Sequence, residues 1–315
     1  MPVSRIHKLL IVIAIPMIFA MGLWYGAASA SEGGVSTFRP GLNDLNSGDL
    51  PAAGTTMAKT MFFYQDADAD AVSATSHVHA NTIIYTQYMS LVHVLDFTLL
   101  GAQLGIGGVA QTRILQQQKG SAPIGEPITP KNLTVGGFGD MVLSPIIMNW
   151  DFDNLHLLSV LKAYVPSGTY DKTRIVNVGL NRWAMEPDFG VTWNEPDSGR
   201  HASLFVGYTI NARNSATDYR SGNEFHADFV AAQYLPHGFV AGVTGYAVQQ
   251  TTADTGTGAV YGGRQGRVIA LGPLLGKKVT ILNMPVNFSF KYDFEFAAQN
   301  RLTGNELWAS AGLSF

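Results

Sequence analysis

The alternation over residues 286–296 limits what this chain can fold into more than any other feature. Val286, Phe288, Phe290, Tyr292, Phe294 and Phe296 take every second position, with Asn287, Ser289, Lys291, Asp293 and Glu295 between them. A period of two sends successive side chains to opposite faces of a β-strand. One face is therefore apolar and mostly aromatic, the other polar and charged. The segment is about 11 residues long, enough for a tilted strand to cross a membrane and about twice the usual strand of a soluble sheet. A long aromatic face needs a hydrocarbon neighbour, and only a closed barrel satisfies every backbone group in lipid. The pattern predicts an all-β protein, an antiparallel transmembrane β-barrel with its aromatic face to lipid. Asn287, Ser289, Lys291, Asp293 and Glu295 are then candidates for lining a wet lumen.

The last segment repeats the pattern. Leu307, Ala309, Ala311, Leu313 and Phe315 share one face, and Trp308, Ser310, Gly312 and Ser314 the other. The polar, turn-forming residues 299–305 join the two strands into a hairpin. Phe315, an aromatic at the end of an amphipathic strand, resembles the signal read by the outer-membrane barrel-assembly machinery. Residues 202–211 alternate more weakly, as do 225–231, where His226 and Asp228 share the polar face as further lumen candidates. Counting such segments predicts about 12 strands, with 10 to 14 allowed and an even number preferred.

Composition agrees. Of 315 residues 46% are hydrophobic and only 14% charged, low for a soluble enzyme, and Gly numbers 34. Beyond the first thirty residues no run of 18 apolar residues offers a helical span. There is no cysteine, hence no disulfide, thiolate ligand or Cys nucleophile. The net charge of -3 gives no reason to expect nucleic acid as a partner. Arg5 and Lys8, the apolar residues 9–24 and then Ala28-Ser29-Ala30 make the three parts of a secretory signal peptide, residues 1–30, cut before Ser31. The leader holds two of the 20 basic and none of the 23 acidic residues, so its loss takes the charge to -5.

Residues 31–56 alternate poorly and are rich in Gly, Pro, Asn and Asp, which predicts an irregular N-terminal arm or plug ahead of a barrel over residues 57–315. A ring of about 12 strands is narrower than a 16-stranded porin, so such an arm can fill it. The polar stretches 66–79, 116–130 and 251–263 read as long outward loops.

Gly139-Asp140, Ser144-Pro145, Pro166-Ser167-Gly168-Thr169-Tyr170 and Asn177-Val178-Gly179-Leu180-Asn181-Arg182-Trp183 then occur in that order. Pro187, Gly207-Tyr208 with Asn211, Tyr219-Arg220-Ser221-Gly222 and Glu224-Phe225-His226-Ala227-Asp228 follow. This succession resembles the family named for phenol meta-pathway degradation, which includes sphingosine-responsive porins. The resemblance implies an outer-membrane barrel associated with uptake of hydrophobic or aromatic molecules, and carries over no functional residues. Read physically, Asp140, Asn177, Asn181 and Arg182 form a rim or turn network near one barrel end.

Catalytic and metal motifs are thin. His77 and His79 form an HxH pair without a nameable third ligand, and Asp66, Asp68 and Asp70 lack the glycine and closing glutamate of a calcium loop, so no metal and no cofactor is expected. No GxSxG elbow, phosphate loop or positioned nucleophile appears. The chain reads as a channel or transporter for small hydrophobic or aromatic solutes, its partners being outer-membrane lipid and lipopolysaccharide, the assembly machinery and the solute. The alternatives are a structural or adhesive barrel and, behind it, a barrel hydrolase.

Overall fold

The computed structural model describes residues 31–315, except 46–47, 73–75, 124–130, 175 and 260–263; the signal segment lies outside the described residues. The described residues form thirteen strands, beginning with β1 (Thr56–Val72), β2 (Ser76–Leu99), β3 (Ala102–Pro123) and β4 (Lys131–Phe138). Next come β5 (Met141–Phe152), β6 (Leu155–Val165), β7 (Ala184–Glu195), β8 (Arg200–Asn211) and β9 (Glu224–Tyr234). The last are β10 (Phe239–Gln250), β11 (Arg267–Ile281), β12 (Met284–Gln299) and β13 (Thr303–Ser314). Neighbours pair antiparallel in chain order, and β13 returns to β1 in continuous register from Met57 opposite Ser314 to Asp68 opposite Thr303. Thr56 and Phe315 exchange both backbone hydrogen bonds, 2.8 and 2.9 Å, and complete the seam. Twelve strands close the ring and β4 is additional.

One end of the ring is made of tight turns. At Leu100-Gly101 φ is 53° and 76°, and at Leu282-Asn283 it is 49° and 63°. Two successive positive φ values define the type I′ turn, whose twist matches that of the flanking strands. The other end carries the long connections 166–183, 212–223 and 251–266. In barrels of this type short turns face the periplasm and long loops face out.

Burial is inverted relative to a soluble protein. Phe62, Met89, Leu143, Phe189, Leu275 and Phe290 stand exposed on six different strands, whereas Glu186, Asp188, His226, Lys291, Asp293 and Glu306 are buried inside. An apolar exterior of this extent requires a lipid neighbour. On β12, Phe288, Phe290, Phe294 and Phe296 point outward while Lys291 and Asp293 point in, as the alternation requires.

Two expected loops are strand instead. Residues 66–79 fall in β1 and β2 apart from their tip, and residues 116–123 extend β3. These strands have 17, 24 and 22 residues, about twice what a membrane needs. Their outer parts run past the length a membrane needs and are rich in polar residues, so polarity there no longer marks a loop. Asn81 bridges Asp66 and Asp68 across this ladder at 2.9 and 3.1 Å.

The wall has one irregularity. β4 and β5 both lie against β3, β4 along residues 112–119 and β5 along residues 103–109, so they form one long strand broken at Gly139-Asp140. β6 pairs with β5 only as far as Val165 opposite Met141. β4 is therefore paired on one side alone among the described residues, apart from the Thr169 N–H donating to the Phe138 carbonyl at 2.8 Å.

The plugged lumen and the break in its wall

Residues 31–55 run up the inside of the ring, from Gly54, whose N–H donates to the Val94 carbonyl at 2.9 Å at the periplasmic end, to Ser31 among the outer loops. The lumen-facing groups hold this arm. Asp228 accepts the Gly41 N–H at 3.0 Å and the Asn43 amide at 2.6 Å, and Lys291 donates to the Gly41 carbonyl. Gly41 has φ +72°, and a Cβ there would lie 3.1 Å from the Tyr246 ring, so both backbone and space call for glycine. Asp44 takes a hydrogen bond from Lys59 at 2.5 Å and another from Ser289 at 2.9 Å. Nearer the outside, Ser36 donates to Glu224, Thr37 to Asn211, and Arg182 to Thr37.

The densest cluster lies where Phe38 enters. Its ring stacks on His226 at 3.5 Å with the planes 9° apart. Lys162 places its ammonium 2.7 Å from Asp188 and 3.0 Å from Glu186, and His226 Nε2 lies 3.5 Å from Glu186. Tyr164 and Thr209 also donate to Glu186. Gly207 makes the cluster possible, since a Cβ there would come within 2.1 Å of Asp188 and 2.3 Å of His226. Glu186, Asp188 and His226 are close enough together to hold a cation. The Lys162 ammonium already sits between the two carboxylates and supplies that charge. A second grouping, Asp49, Asp151 and His156, lies partly exposed at the periplasmic end.

The residues singled out in the sequence divide among different duties. His226, Asp228 and Lys291 are buried against the arm, Asp293 is buried 3.5 Å from the Lys291 ammonium, and Glu295 is half-buried, accepting from Tyr246 at 2.6 Å. Ser289 binds the arm through Asp44, and Asn287, nearer the periplasm, is exposed. Around the buried ones the arm occupies the lumen. The expected rim network is divided. Asp140 accepts the Gly168 and Leu180 N–H groups at 2.8 and 2.7 Å and pins loop 166–183 to the wall break. Asn177 bonds within that loop to Asp171, Asn181 reaches Asn214 in the next loop, and Arg182 faces the arm through Thr37 and Glu32.

The central Lys162, Glu186 and Asp188 are not among the sequence candidates, although the signal is there. Glu186 and Asp188 alternate with Met185, Pro187 and Phe189 along β7, buried against exposed, as in β12.

Across the lumen the wall is apolar. Met61, Phe63, Ile84, Tyr88, Leu115, Val135 and Trp308 point inward from β13 and β1–β4 and close over Val178 of loop 166–183. Arg39 lies 4.5 Å above the Phe63 ring, and Arg113 donates to the Val178 carbonyl at 3.4 Å. On the outside of the same wall a cavity of about 490 Å³ is lined by Phe62, Tyr64, Tyr85, Ile114, Phe138 and Leu307, among others. Phe138 is the last residue of the half-paired β4, so the outer cavity reaches the break, while the inner apolar cluster lies on the other face of the same strands.

A closed antiparallel ring with an apolar exterior, a charged interior and tight turns at one end is an outer-membrane β-barrel. Residues 65–311 match the family described as the MetA-pathway of phenol degradation, and the chain belongs to that family. An outer-membrane channel from Pseudomonas putida F1 has the same fold, with a TM-score of 0.64 at 14% identity, covering 87% of this chain and 100% of the other. The β domain of the Bordetella autotransporter BrkA gives 0.47 at 12% identity over 84% and 100%. The CymD monoaromatic hydrocarbon channel gives 0.42 at 7% over 92% and 97%. No curated protein matches the sequence.

Proposed function

We propose that the protein is an outer-membrane channel for uptake of small hydrophobic or aromatic organic solutes, with the break beside β4 as the doorway between lipid and lumen. The observation that carries this reading is the pair of apolar surfaces on the two faces of the wall that ends at that break. The outer cavity lies in the size range of small-molecule pockets. On the inner side, the Phe63, Tyr88 and Trp308 rings offer stacking partners to an aromatic solute. The arm, held by ion pairs and hydrogen bonds to strands on both sides, occupies the lumen, which disfavours a wide aqueous pore. The family's description and the channel from Pseudomonas putida F1 point the same way.

Export through a cleaved leader is part of the reading, supported by Arg5, Lys8 and Ala28-Ser29-Ala30. So are recognition of Phe315 by the assembly machinery and contact of the outer strand halves with lipopolysaccharide.

A covalent staple across the doorway tests the route. The chain has no cysteine, so Phe138→Cys with Thr169→Cys introduces a single pair, beside the one hydrogen bond that spans the gap. In a deletion strain complemented with this variant, uptake of a labelled aromatic solute should fall on oxidation and recover on reduction. Unchanged uptake with the disulfide demonstrably formed would rule this doorway out.

A further inference from the structure

Ser31 is buried at the outer end of the lumen, and its nitrogen donates to Asp254 Oδ2 at 2.8 Å. Asp254, in the loop between β10 and β11, is itself 5% exposed. Its other donors are the Gly222 N–H at 2.8 Å, the Gln250 amide at 2.7 Å and the Tyr219 hydroxyl. Burial, reinforced by that last hydrogen bond, holds the Tyr219 phenol well above its usual range, so it remains a donor. All these donors are neutral. Among the described residues no Lys, Arg or His nitrogen lies within 4.0 Å of Asp254. A buried carboxylate with no cation is expensive to hold charged.

The backbone gives an independent sign. Ser31 has φ 65° and ψ 148°, a region that a residue with a side chain adopts only under strain. The angle φ is defined by the preceding carbonyl carbon, and the strain is a clash with that carbonyl group. Cutting the chain before Ser31 removes both. Ala28-Ser29-Ala30 places the signal-peptidase site at this bond.

We infer that the Asp254 pocket is a binding site for the chain's own α-ammonium, released at Ser31 when the leader is cut. Water adds across the Ala30–Ser31 bond. Ala30 departs as a carboxylate, and the Ser31 nitrogen takes up protons and becomes the cation that Asp254 lacks. Glu32 fixes the approach: Asn214 donates to its carboxylate at 3.0 Å, Thr217 at 2.7 Å, and Arg182 lies 3.7 Å away. The arm is thus latched at the mouth opposite the one by which it enters, and only in the processed protein.

The inference rests on the cleavage reading, and one preparation tests the two parts separately. Intact mass of the barrel purified from outer membranes should correspond to a chain starting at Ser31; any other start overturns the inference without bearing on the transport route. Brief acylation with limiting reagent at neutral pH then reads the amine, folded in detergent and unfolded in urea. A pKa raised by a unit through pairing leaves ~10-fold less free amine, so the folded α-amine should label about tenfold more slowly than the unfolded one. Asp254→Asn should abolish that protection. Equal labelling of folded and unfolded wild type, or full protection in Asp254→Asn, overturns the pairing. If that variant does not fold, two alanines inserted after Ala30 displace the amine while leaving Asp254 intact. That folded chain should label like the unfolded one, and retained protection counts against the site.

Discussion

The two sides of this lumen solve opposite problems. From β6 through β12 the inward charged residues are Lys162, Glu186, Asp188, His226, Asp228, Lys291 and Asp293, set among buried apolar groups such as Val230 and Leu274, and the arm is stitched to them through Phe38, Gly41 and Asn43. From β13 through β4 the inward residues are mainly apolar, Met61, Phe63, Ile84, Tyr88, Leu115, Val135 and Trp308, with Lys59 and Glu306 as charged exceptions that pair with the arm. Charges inside a low-dielectric ring are tolerable only when paired in fixed geometry, so the first side is committed to one arrangement. Dispersion contacts are many, weak and undirected, so the second side can exchange its partner. The charged groups, Lys59 and Glu306 among them, hold the plug, and the apolar cluster faces the wall break, where a passing apolar molecule is handled at least cost.

The contrast can be broken from either side. Lys162→Met removes the cation between two buried carboxylates, and loss of one partner of such a group costs about 3–5 kcal/mol. The barrel should lose thermal stability and its ion conductance in planar bilayers should rise as the arm loosens; an unchanged melting temperature would mean the cluster does not hold the plug. Phe290→Asp puts a charge on the lipid face and should cost about 2 kcal/mol, the low end of the range for basic residues at the midplane. Urea titration in liposomes measures it, and wild-type stability would contradict the assigned facing. Val178→Ala trims a methyl pair on the adaptable side and should cost about 1 kcal/mol, while changing aromatic uptake more than conductance. Equal effects on both would show that the two sides are not separate. Arg200→Ala breaks the exposed 3.9 Å contact with Glu195 at a periplasmic turn and should shift stability by about 0.5 kcal/mol or less. This is the baseline for the other three.

What was legible in the sequence follows the same division. The facing of β12 and β13 was readable because lipid and interior select opposite chemistry at every second residue, and Phe288, Phe290, Lys291 and Asp293 obey it. The outer halves of β1–β3 were not, because past the membrane the exterior positions, such as Asp66 and Asp68, turn polar and lose the aromatic face that marks a lipid-facing strand. What the inward polar groups meet is not legible for another reason. Whether Lys291 and Asp293 meet water or the Gly41 region depends on a segment some 250 residues away, and no local pattern reports that pairing. The break at Gly139-Asp140 was visible as residues, but its meaning depends on β6 stopping at Val165.

The seam between Thr56 and Phe315 has a consequence for how the molecule is built. These partners stand at the two extremities of the sheet, so the hoop cannot be fastened until its last residue has arrived. The cost of bringing such distant ends together grows only logarithmically with the chain between them, yet it falls at the final step. The arm belongs to the part of the chain delivered first. A rod that is in place before the hoop is fastened need never be threaded through it, which makes Phe315 the clasp that shuts the ring on its own earliest residues.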